Sequence, residues 1–133
     1  GLSLLSRVRE LRINEVNRSS LAGLALGLAG LDPADRARVE VVPGPAGDAL
    51  RAASDADVVI ADPPRKGLDR GLLDHLAEHP PGRFVYVSCG LESFLEDTAR
   101  LTAGRKLRLA GLTAFNLMPF TEHVETAACF ERA

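Results

Sequence analysis

The feature that most constrains the fold of this chain is a regular alternation of strand-like and helix-like segments. Alternating or short apolar runs predict strands over 11–16, 39–42, 57–61, 84–87, 106–112 and 124–130. Apolar spacing and end residues predict helices over 17–30, 69–79 and 91–102, with shorter helical pieces at 2–8 and 50–53. Strands that alternate with helices of this length indicate an α/β layer fold with a mostly parallel sheet.

Composition narrows the functional class. The 133 residues suit one domain, and with 46% hydrophobic and 26% charged residues the chain is neither disordered nor collagen-like. Two cysteines exclude a disulfide framework, and no Cys/His spacing indicates a zinc site. At a net charge of -2, a nucleic-acid partner must be held by a local basic patch or by a region outside this chain.

No segment predicts a membrane or secreted protein. The most apolar stretch, 21–31, is too short to span a bilayer and is interrupted by glycines. No basic region precedes an apolar signal core, so we expect a cytoplasmic location without membrane association.

Polar or flexible residues follow four of the predicted strands. Ligands of open α/β sheets bind beyond the carboxyl ends of the strands. These positions hold Glu15, the 44–48 loop, Asp62 and Cys89. We therefore expect a functional site along this edge of the sheet.

Two of these positions, Asp62 and Cys89, carry groups that suit catalysis. Asp62 follows the run with the clearest buried-strand pattern, and the two prolines after it hold its carboxylate in a stiff turn. A solvated strand terminator fits the same pattern. Cys89 precedes Gly90 and a predicted helix, whose positive N-terminal end favours a thiolate nucleophile. A small buried thiol without reactivity is the alternative for Cys89.

Two glutamates complete the candidate residues. Glu15 ends a strand at a position where nucleotide-binding sheets use a carboxylate to bind ribose hydroxyls, although a solvated charge fits equally well. Glu125 follows His123 at the start of the last strand, where a carboxylate faces either solvent or a site. The alternative is an edge-strand carboxylate beside an ordinary loop histidine.

The order and spacing of these residues resemble those of the RNA uracil-C5 methyltransferases. The resemblance covers nearly the whole chain, through EVN at 15–17, DPPRKGLD at 62–69, YVSC at 86–89 and HVE at 123–125. That family methylates uridine in ribosomal or transfer RNA with S-adenosyl-L-methionine as cofactor. The resemblance implies a Rossmann-like class I methyltransferase sheet, mostly parallel, with an antiparallel last strand.

The resemblance also assigns roles to single residues. It implies that Cys89 is the nucleophile that adds to C6 of uracil, and that Glu125 is the base that removes the C5 proton. Glu15 is implied as the acid that binds the cofactor ribose, and Asp62 as a polar contact where cofactor and substrate meet.

One further cofactor contact has two candidate positions. The family carries a Gly-Asp-Ala turn after its third strand, and the Asp of this turn reaches toward the adenine. The match here is either 44–46, where Pro45 replaces the acid, or 47–49, where Asp48 retains it. The sequence leaves both open.

The resemblance further implies that residues 1–133 are an N-terminally truncated catalytic domain. Gly1 resembles the last glycine of the family's glycine-rich cofactor loop, so the first strand, that loop and any RNA-binding barrel domain would lie upstream. We expect the chain alone to bind cofactor weakly and to be inactive. Within the chain, Arg65 and Lys66 are the cations that we expect to meet RNA phosphate.

Two other functions fit the same scaffold. RNA cytosine-C5 methyltransferases also use a cysteine after this strand, but they carry another in the DPP-like turn, and 61–65 contains none. Uracil is therefore favoured over cytosine. The second alternative is a non-catalytic remnant or binding module, which the start at Gly1 and the presence of Pro45 would favour.

Overall fold

The computed structural model describes residues 1–117, 120 and 124–133, and its elements follow the predicted alternation. The strands are β1 (Leu11–Glu15), β2 (Val39–Pro43), β3 (Val58–Ala61), β4 (Arg83–Ser88), β5 (Leu107–Phe115) and β6 (Glu125–Arg132). The α-helices are α1 (Arg18–Ala29), α2 (Pro33–Arg36), α3 (Leu50–Ser54), α4 (Arg70–Glu78) and α5 (Leu91–Ala103). Two short 3-10 helices cover Leu2–Arg7 and Ala46–Asp48. The short helix α2 is the one α-helix that the sequence patterns do not predict.

The starts of two helices are determined by side-chain caps. Asn17 Oδ1 accepts hydrogen bonds from the backbone N–H groups of Ser19, at 2.9 Å, and Ser20, at 3.1 Å. Asp69 Oδ1 accepts from Gly71 N at 2.9 Å in the same way. Such bonds satisfy amides that have no partner in the first turn, so α1 begins directly after Asn17 and α4 directly after Asp69.

The chain divides into two compact units, Gly1–Ala52 and Ala53–Ala133, called unit 1 and unit 2 below. In unit 1, β1 and β2 form a parallel pair with Leu11 opposite Val39. A small apolar cluster around Leu5, Leu28 and Val39 packs against this pair.

Unit 2 contains a four-stranded sheet in the order β3-β4-β6-β5. β3 and β4 are parallel, whereas β6 is antiparallel to both β4 and β5. The predicted α/β class with an antiparallel last strand is therefore confirmed. The six strands of the described residues form two separately hydrogen-bonded sheets.

Aromatic rings form the centre of the core of unit 2. Phe84 and Tyr86 on β4 and Phe130 on β6 are each 0% exposed. The Phe84 ring lies 5.8 Å from that of Phe130, and the Tyr86 ring lies 5.4 Å from that of Phe94 on α5. Helix α5 therefore covers this face of the sheet, and its position depends on contacts with these aromatic rings.

The expectation that 57–61 is a buried strand is wrong. Val58 is 49% exposed and Ile60 is 52% exposed. Within the described residues β3 pairs with β4 alone at the edge of its sheet, and the face that carries Val58 and Ile60 is exposed. No helix in the described part of the chain is long and apolar enough to cross a membrane.

The sequence spacing predicts one apolar face of α5 from Leu91, Phe94, Leu95, Thr98 and Leu101, but the buried face in the structure is rotated from it. Leu91 and Leu95 are exposed, and the buried side chains of the helix are those of Phe94, Asp97 and Leu101. The buried stripe thus includes a carboxylate. The Asp97 carboxylate can be buried there because the backbone N–H of Leu68 and the Tyr86 hydroxyl donate hydrogen bonds to it.

Candidate functional site

The carboxyl ends of β3 and β4 meet at one edge of the unit 2 sheet. The two strands are parallel, with Ala61 opposite Tyr86. Asp62 follows the end of β3, and Cys89 follows the end of β4. Asp62 is exposed and Cys89 is half-buried, so both are reachable from solvent at this edge.

The antiparallel pairing of β4 with β6 brings Glu125 to the same edge. Ser88 is opposite Thr126, and the Thr126 hydroxyl donates to the Ser88 carbonyl at 3.2 Å. The ladder ends at this pair, and its register continued by one residue would set position 89 opposite position 125. Opposed residues of an antiparallel pair have Cα atoms about 5 Å apart, and their side chains lie on the same face.

The two faces of this part of the sheet differ in burial. Tyr86, Ser88 and Thr126 belong to the face that is buried under the helices. Cys89, in the bend after β4, and Glu125, the first residue of β6, are both half-buried. A half-buried thiol and a half-buried carboxylate therefore flank the last pair of the ladder.

The turn that carries Asp62 is closed by Gly67, and any other residue at this position would be strained. Gly67 has φ +89° and donates its N–H to the Pro64 carbonyl at 2.9 Å. A Cβ atom at Gly67 would lie 2.7 Å from Asp97 Oδ2 and 3.0 Å from the Ser93 Cβ. The turn thus lies directly against α5, with no space for a side chain between them.

Asp97 is a functional candidate that sequence reasoning missed. It is 8% exposed, and its Oδ2 accepts hydrogen bonds from the Tyr86 hydroxyl at 2.7 Å and from Leu68 N at 2.9 Å. A signal for it exists in the sequence. Asp97 lies three residues after Phe94 and four before Leu101, which are core positions where an acid needs buried donors.

Tyr86 is affected by the same contact. Burial, together with the hydrogen bond to Asp97, raises the pKa of the Tyr86 phenol well above its usual range. The phenol therefore remains a hydrogen-bond donor to Asp97 over the whole physiological pH range.

A second contact joins the turn to the start of α5. The Ser93 hydroxyl donates to the Arg65 carbonyl at 2.8 Å and lies 3.1 Å from the Gly90 carbonyl. A Cβ atom at Gly90 would lie 2.5 Å from the Arg65 oxygen, so this close approach requires glycine after Cys89.

An open cavity of about 580 Å³ lies between this turn and the first turns of α5. It is lined by Arg65, Lys66, Gly90, Leu91, Glu92, Ser93 and Glu96. The lining contains two cations and two carboxylates. The two cations lie on the side of the turn, and the two carboxylates lie on the side of α5.

In unit 1, the Glu15 carboxylate is held at the end of β1 by backbone amides. Its Oε1 accepts from Val16 N at 2.8 Å and from Asn17 N at 2.7 Å. The Glu15 carbonyl accepts from Gly44 N at 3.0 Å, which joins the end of β1 to the loop after β2. Asn14 supports the same loop, because its Nδ2 lies 2.9 Å from the carbonyls of both Val42 and Gly44.

The two candidate positions for the adenine contact follow one another in this loop. Gly44, with φ +126°, turns the chain after β2, and Pro45 precedes a 3-10 helix that ends at Asp48. Asp48 is exposed and is the position of the two that offers a carboxylate.

The structure therefore brings the predicted residues together in two groups. Glu15 and Asp48 belong to unit 1, while Asp62, Cys89 and Glu125 belong to unit 2. His123 and the adjoining residues 118, 119, 121 and 122 lie outside the described residues. Among residues 1–117, 120 and 124–133, no group of three His, Cys, Asp or Glu side chains is arranged to hold a metal ion.

Comparison with known families gives a match over most of the chain. The sequence model of the tRNA (Uracil-5-)-methyltransferase family matches residues 50–133, which is more than half of the chain and includes the whole candidate site of unit 2. The chain belongs to this family. The resemblance seen in the sequence is thus confirmed.

Individual relatives of this chain extend the match to unit 1. An RNA methyltransferase of Protochlamydia amoebophila is 31% identical over 132 residues, which are 99% of this chain and 34% of that protein. A tRNA/tmRNA (uracil-C(5))-methyltransferase of Idiomarina loihiensis is 34% identical over 87 residues, or 65% of this chain and 23% of that protein. The chain thus spans about a third or less of the curated relatives that it matches.

Solved structures agree with the fold. The Pyrococcus abyssi tRNA (uracil-54, C5)-methyltransferase, solved in complex with S-adenosyl-L-homocysteine, aligns with a TM-score of 0.73 and 29% identity. The alignment covers 98% of this chain and 31% of that one. TYW2 of M. jannaschii aligns with a TM-score of 0.61 over 96% of this chain and 60% of that one, and at 18% identity it supports the fold alone.

Proposed function

We propose that the complete protein containing this chain methylates C5 of uridine in RNA, with S-adenosyl-L-methionine as methyl donor. Cys89 acts as the nucleophile and Glu125 as the base. The observation that supports these two roles most strongly is the register of β4 and β6, which ends at Ser88 and Thr126 and, continued by one residue, would set position 89 opposite position 125.

The chemistry explains why a thiol and a carboxylate are needed together. C5 of uracil is too weak a nucleophile to take a methyl group from a sulfonium ion. Addition of the Cys89 thiolate to C6 moves the electron pair of the C5=C6 bond toward C5. C5 would then bond to the methyl carbon as the bond from that carbon to the sulfonium sulfur breaks and the cofactor leaves as a thioether. Glu125 removes the C5 proton, the double bond re-forms, and Cys89 leaves as thiolate.

The residues of unit 1 suit the cofactor chemically. S-adenosyl-L-methionine supplies the electrophilic methyl group, and its ribose and adenine present hydrogen-bond donors. A carboxylate whose orientation is fixed by two amides, as that of Glu15 is, suits a ribose diol. We assign Asp48 to the adenine and Asp62 to the position where cofactor and substrate meet.

The substrate in this proposal is an RNA whose target base leaves its stack, as base-modifying enzymes generally require. Arg65 and Lys66 are exposed in the turn that carries Asp62, and their charges suit a backbone phosphate. The relatives from Pyrococcus abyssi and Idiomarina loihiensis are described as tRNA enzymes, so transfer RNA is the first substrate to test and ribosomal RNA the second. A cytoplasmic location stays a prediction.

The test uses RNA that contains 5-fluorouridine. Fluorine at C5 blocks the final proton loss, so the complete protein with cofactor should remain covalently joined to the RNA, which denaturing mass spectrometry detects. Cys89→Ala should abolish the adduct. Cys129→Ala removes the other cysteine, which is also half-buried and free, and should leave the adduct unchanged. Absence of an adduct from a protein that binds both RNA and cofactor would favour the non-catalytic binding module.

Glu125→Gln tests the base on ordinary uridine RNA. The variant should still add Cys89 to the base and take the methyl group, but the adduct should persist because the C5 proton stays. Glu131→Gln, in the same strand, is the matched control and should turn over normally. Rapid product release by Glu125→Gln would assign proton removal to another group.

A further inference from the structure

The proposed mechanism gives no role to the buried carboxylate of Asp97. Burying an acid is costly unless donors surround it, so its presence in the core of unit 2 needs a reason. Its Oδ2 binds two separate parts of the unit, the Tyr86 hydroxyl inside the core and the backbone N–H of Leu68 at the end of the Asp62 turn. The second of these bonds connects α5 to that turn.

Ser93 makes a parallel connection one helical turn earlier in α5. Its hydroxyl donates to the Arg65 carbonyl at 2.8 Å. Asp97 and Ser93 are four residues apart and so lie on the same side of the helix. One holds the end of the turn at Leu68 and the other holds its middle at Arg65.

Two glycines allow these contacts to form. A Cβ atom at Gly67 would lie 2.7 Å from Asp97 Oδ2, and one at Gly90 would lie 2.5 Å from the Arg65 oxygen. Gly90 is the residue directly after Cys89. The turn that carries Asp62 and the segment that carries Cys89 are therefore in direct contact.

We propose that Asp97 and Ser93 are positioning residues that hold the 62–68 turn against the start of α5 and thereby fix Asp62 relative to Cys89. This inference rests on the proposed function, because it matters for catalysis only if Cys89 is the nucleophile. Neither side chain needs to touch substrate. Misplacement of reacting groups by about 1 Å can cost a hundredfold in rate, so two such contacts are sufficient to control the reaction.

The bond from Tyr86 provides the internal control. It engages the same Asp97 oxygen but links it to the core strand β4 and not to the turn. Tyr86→Phe should therefore lower stability while leaving the turn held by Leu68 N. Ser93→Ala should do the opposite, because Ser93 is half-buried and its hydroxyl contacts the turn.

The experiment measures adduct formation by the complete protein at saturating 5-fluorouridine RNA and cofactor, beside thermal unfolding. Ser93→Ala and Asp97→Ala should slow the maximal rate about tenfold or more, with little change in the RNA concentration for half-saturation. Asp97→Asn should restore most of the rate, because its Oδ1 can accept both bonds. Tyr86→Phe should change the rate less than about threefold.

A purely structural role predicts a different pattern. The rates of all variants would then follow their unfolding temperatures, with Tyr86→Phe slower than Ser93→Ala, and this result would overturn the proposal. Wild-type rates in Ser93→Ala would overturn the role of Ser93. If Asp97→Ala does not fold, Asp97→Asn and Ser93→Ala still decide the question.

A readout without RNA separates this proposal from the proposed function. In a Cys129→Ala background, Ser93→Ala should speed amide hydrogen exchange at 65–68 and change the rate of Cys89 alkylation by iodoacetamide. If the wild type forms no adduct but these changes occur, the contacts position the turn and the uracil mechanism is wrong. Unchanged exchange and alkylation would overturn the positioning proposal itself.

Discussion

Unit 1 and unit 2 differ in how much of their stability each can supply from its own core. The buried apolar side chains of unit 1 are the aliphatic Leu5, Leu28 and Val39, beside a two-stranded sheet. Unit 2 buries the rings of Phe84 and Phe130 completely beneath a four-stranded sheet. A two-stranded sheet is marginally stable on its own, so local opening should be easier in unit 1.

The comparison matters for function because the candidate residues are divided in the same way. The proposed cofactor contacts Glu15 and Asp48 lie in unit 1, and the proposed nucleophile and base lie in unit 2, which we expect to open less easily. The proposed nucleophile and base thus lie at the ends of strands in the four-stranded sheet. Ligand-binding loops are commonly drawn from the parts of a protein that open most easily.

The largest expected effect is that of Phe84→Ala on unit 2. The ring is 0% exposed, and its removal leaves a cavity that should cost about 3–5 kcal/mol in the free energy of unfolding. Phe115→Ala, at 44% exposure, is the matched control and should cost less than about 1 kcal/mol. Denaturant unfolding measures both. Equal costs would mean that the aromatic core does not set the stability of unit 2.

A smaller effect is expected for Leu28→Ala in unit 1, at about 2 kcal/mol or more, since the side chain is 5% exposed. Leu26→Ala, on the same helix but 78% exposed, is the control and should have little effect. Amide hydrogen exchange should become faster within 1–52 and stay unchanged in the strands of unit 2. Faster exchange in both units would contradict the expectation that unit 1 opens independently of unit 2.

Tyr86→Phe should lower stability by about 1–2 kcal/mol near neutral pH, because Asp97 loses one of its two donors. Since the folded pKa is raised above the ordinary value near 10, the phenol contributes its full stabilisation below that pH and loses it as the pH rises further. The difference between wild type and variant should therefore shrink above pH 10.

Alkaline titration followed by ultraviolet absorbance isolates this effect, because Tyr86 is the only tyrosine. Phenolate should appear in the folded wild type well above the pH at which the unfolded chain ionises. Ionisation at the ordinary pH while the chain stays folded would show that the phenol is not buried against Asp97.

The smallest effect is expected from the surface ion pairs of β6. Glu131 Oε1 lies 3.1 Å from Arg83 and its Oε2 lies 2.6 Å from Arg108, and both arginines are largely exposed. Arg108→Ala should cost less than about 1 kcal/mol, and the cost should fall with added salt. A large cost that is insensitive to salt would point to packing of the arginine stem instead.

Local signals in the sequence predict much of this fold. Asn17 and Asp69 mark helix starts because their side chains satisfy amides of the first turn, whatever the rest of the chain does. Asp62 and Cys89 could be assigned to one edge because parallel strands end on the same side. Both inferences depend on short-range geometry.

The features that the sequence does not reveal depend on contacts between residues that are distant along the chain. The 57–61 run is apolar, yet Val58 and Ile60 are exposed, because burial depends on what packs over a strand and no local pattern reports that. Asp97 is buried because Leu68 N and the Tyr86 hydroxyl lie opposite it. The expected opposition of residues 89 and 125 likewise follows from continuing the pairing of β4 with β6 by one residue.

That opposition is the central claim, and a disulfide tests it most directly. Opposed Cα atoms of an antiparallel pair lie within the range that a disulfide spans, whereas a position two residues further along the strand does not. In a Cys129→Ala background, Glu125→Cys should form a bond with Cys89 under mild oxidation, detected by peptide mass spectrometry, and Ala127→Cys should not. Failure of Glu125→Cys to cross-link, or faster cross-linking by Ala127→Cys, would contradict the account.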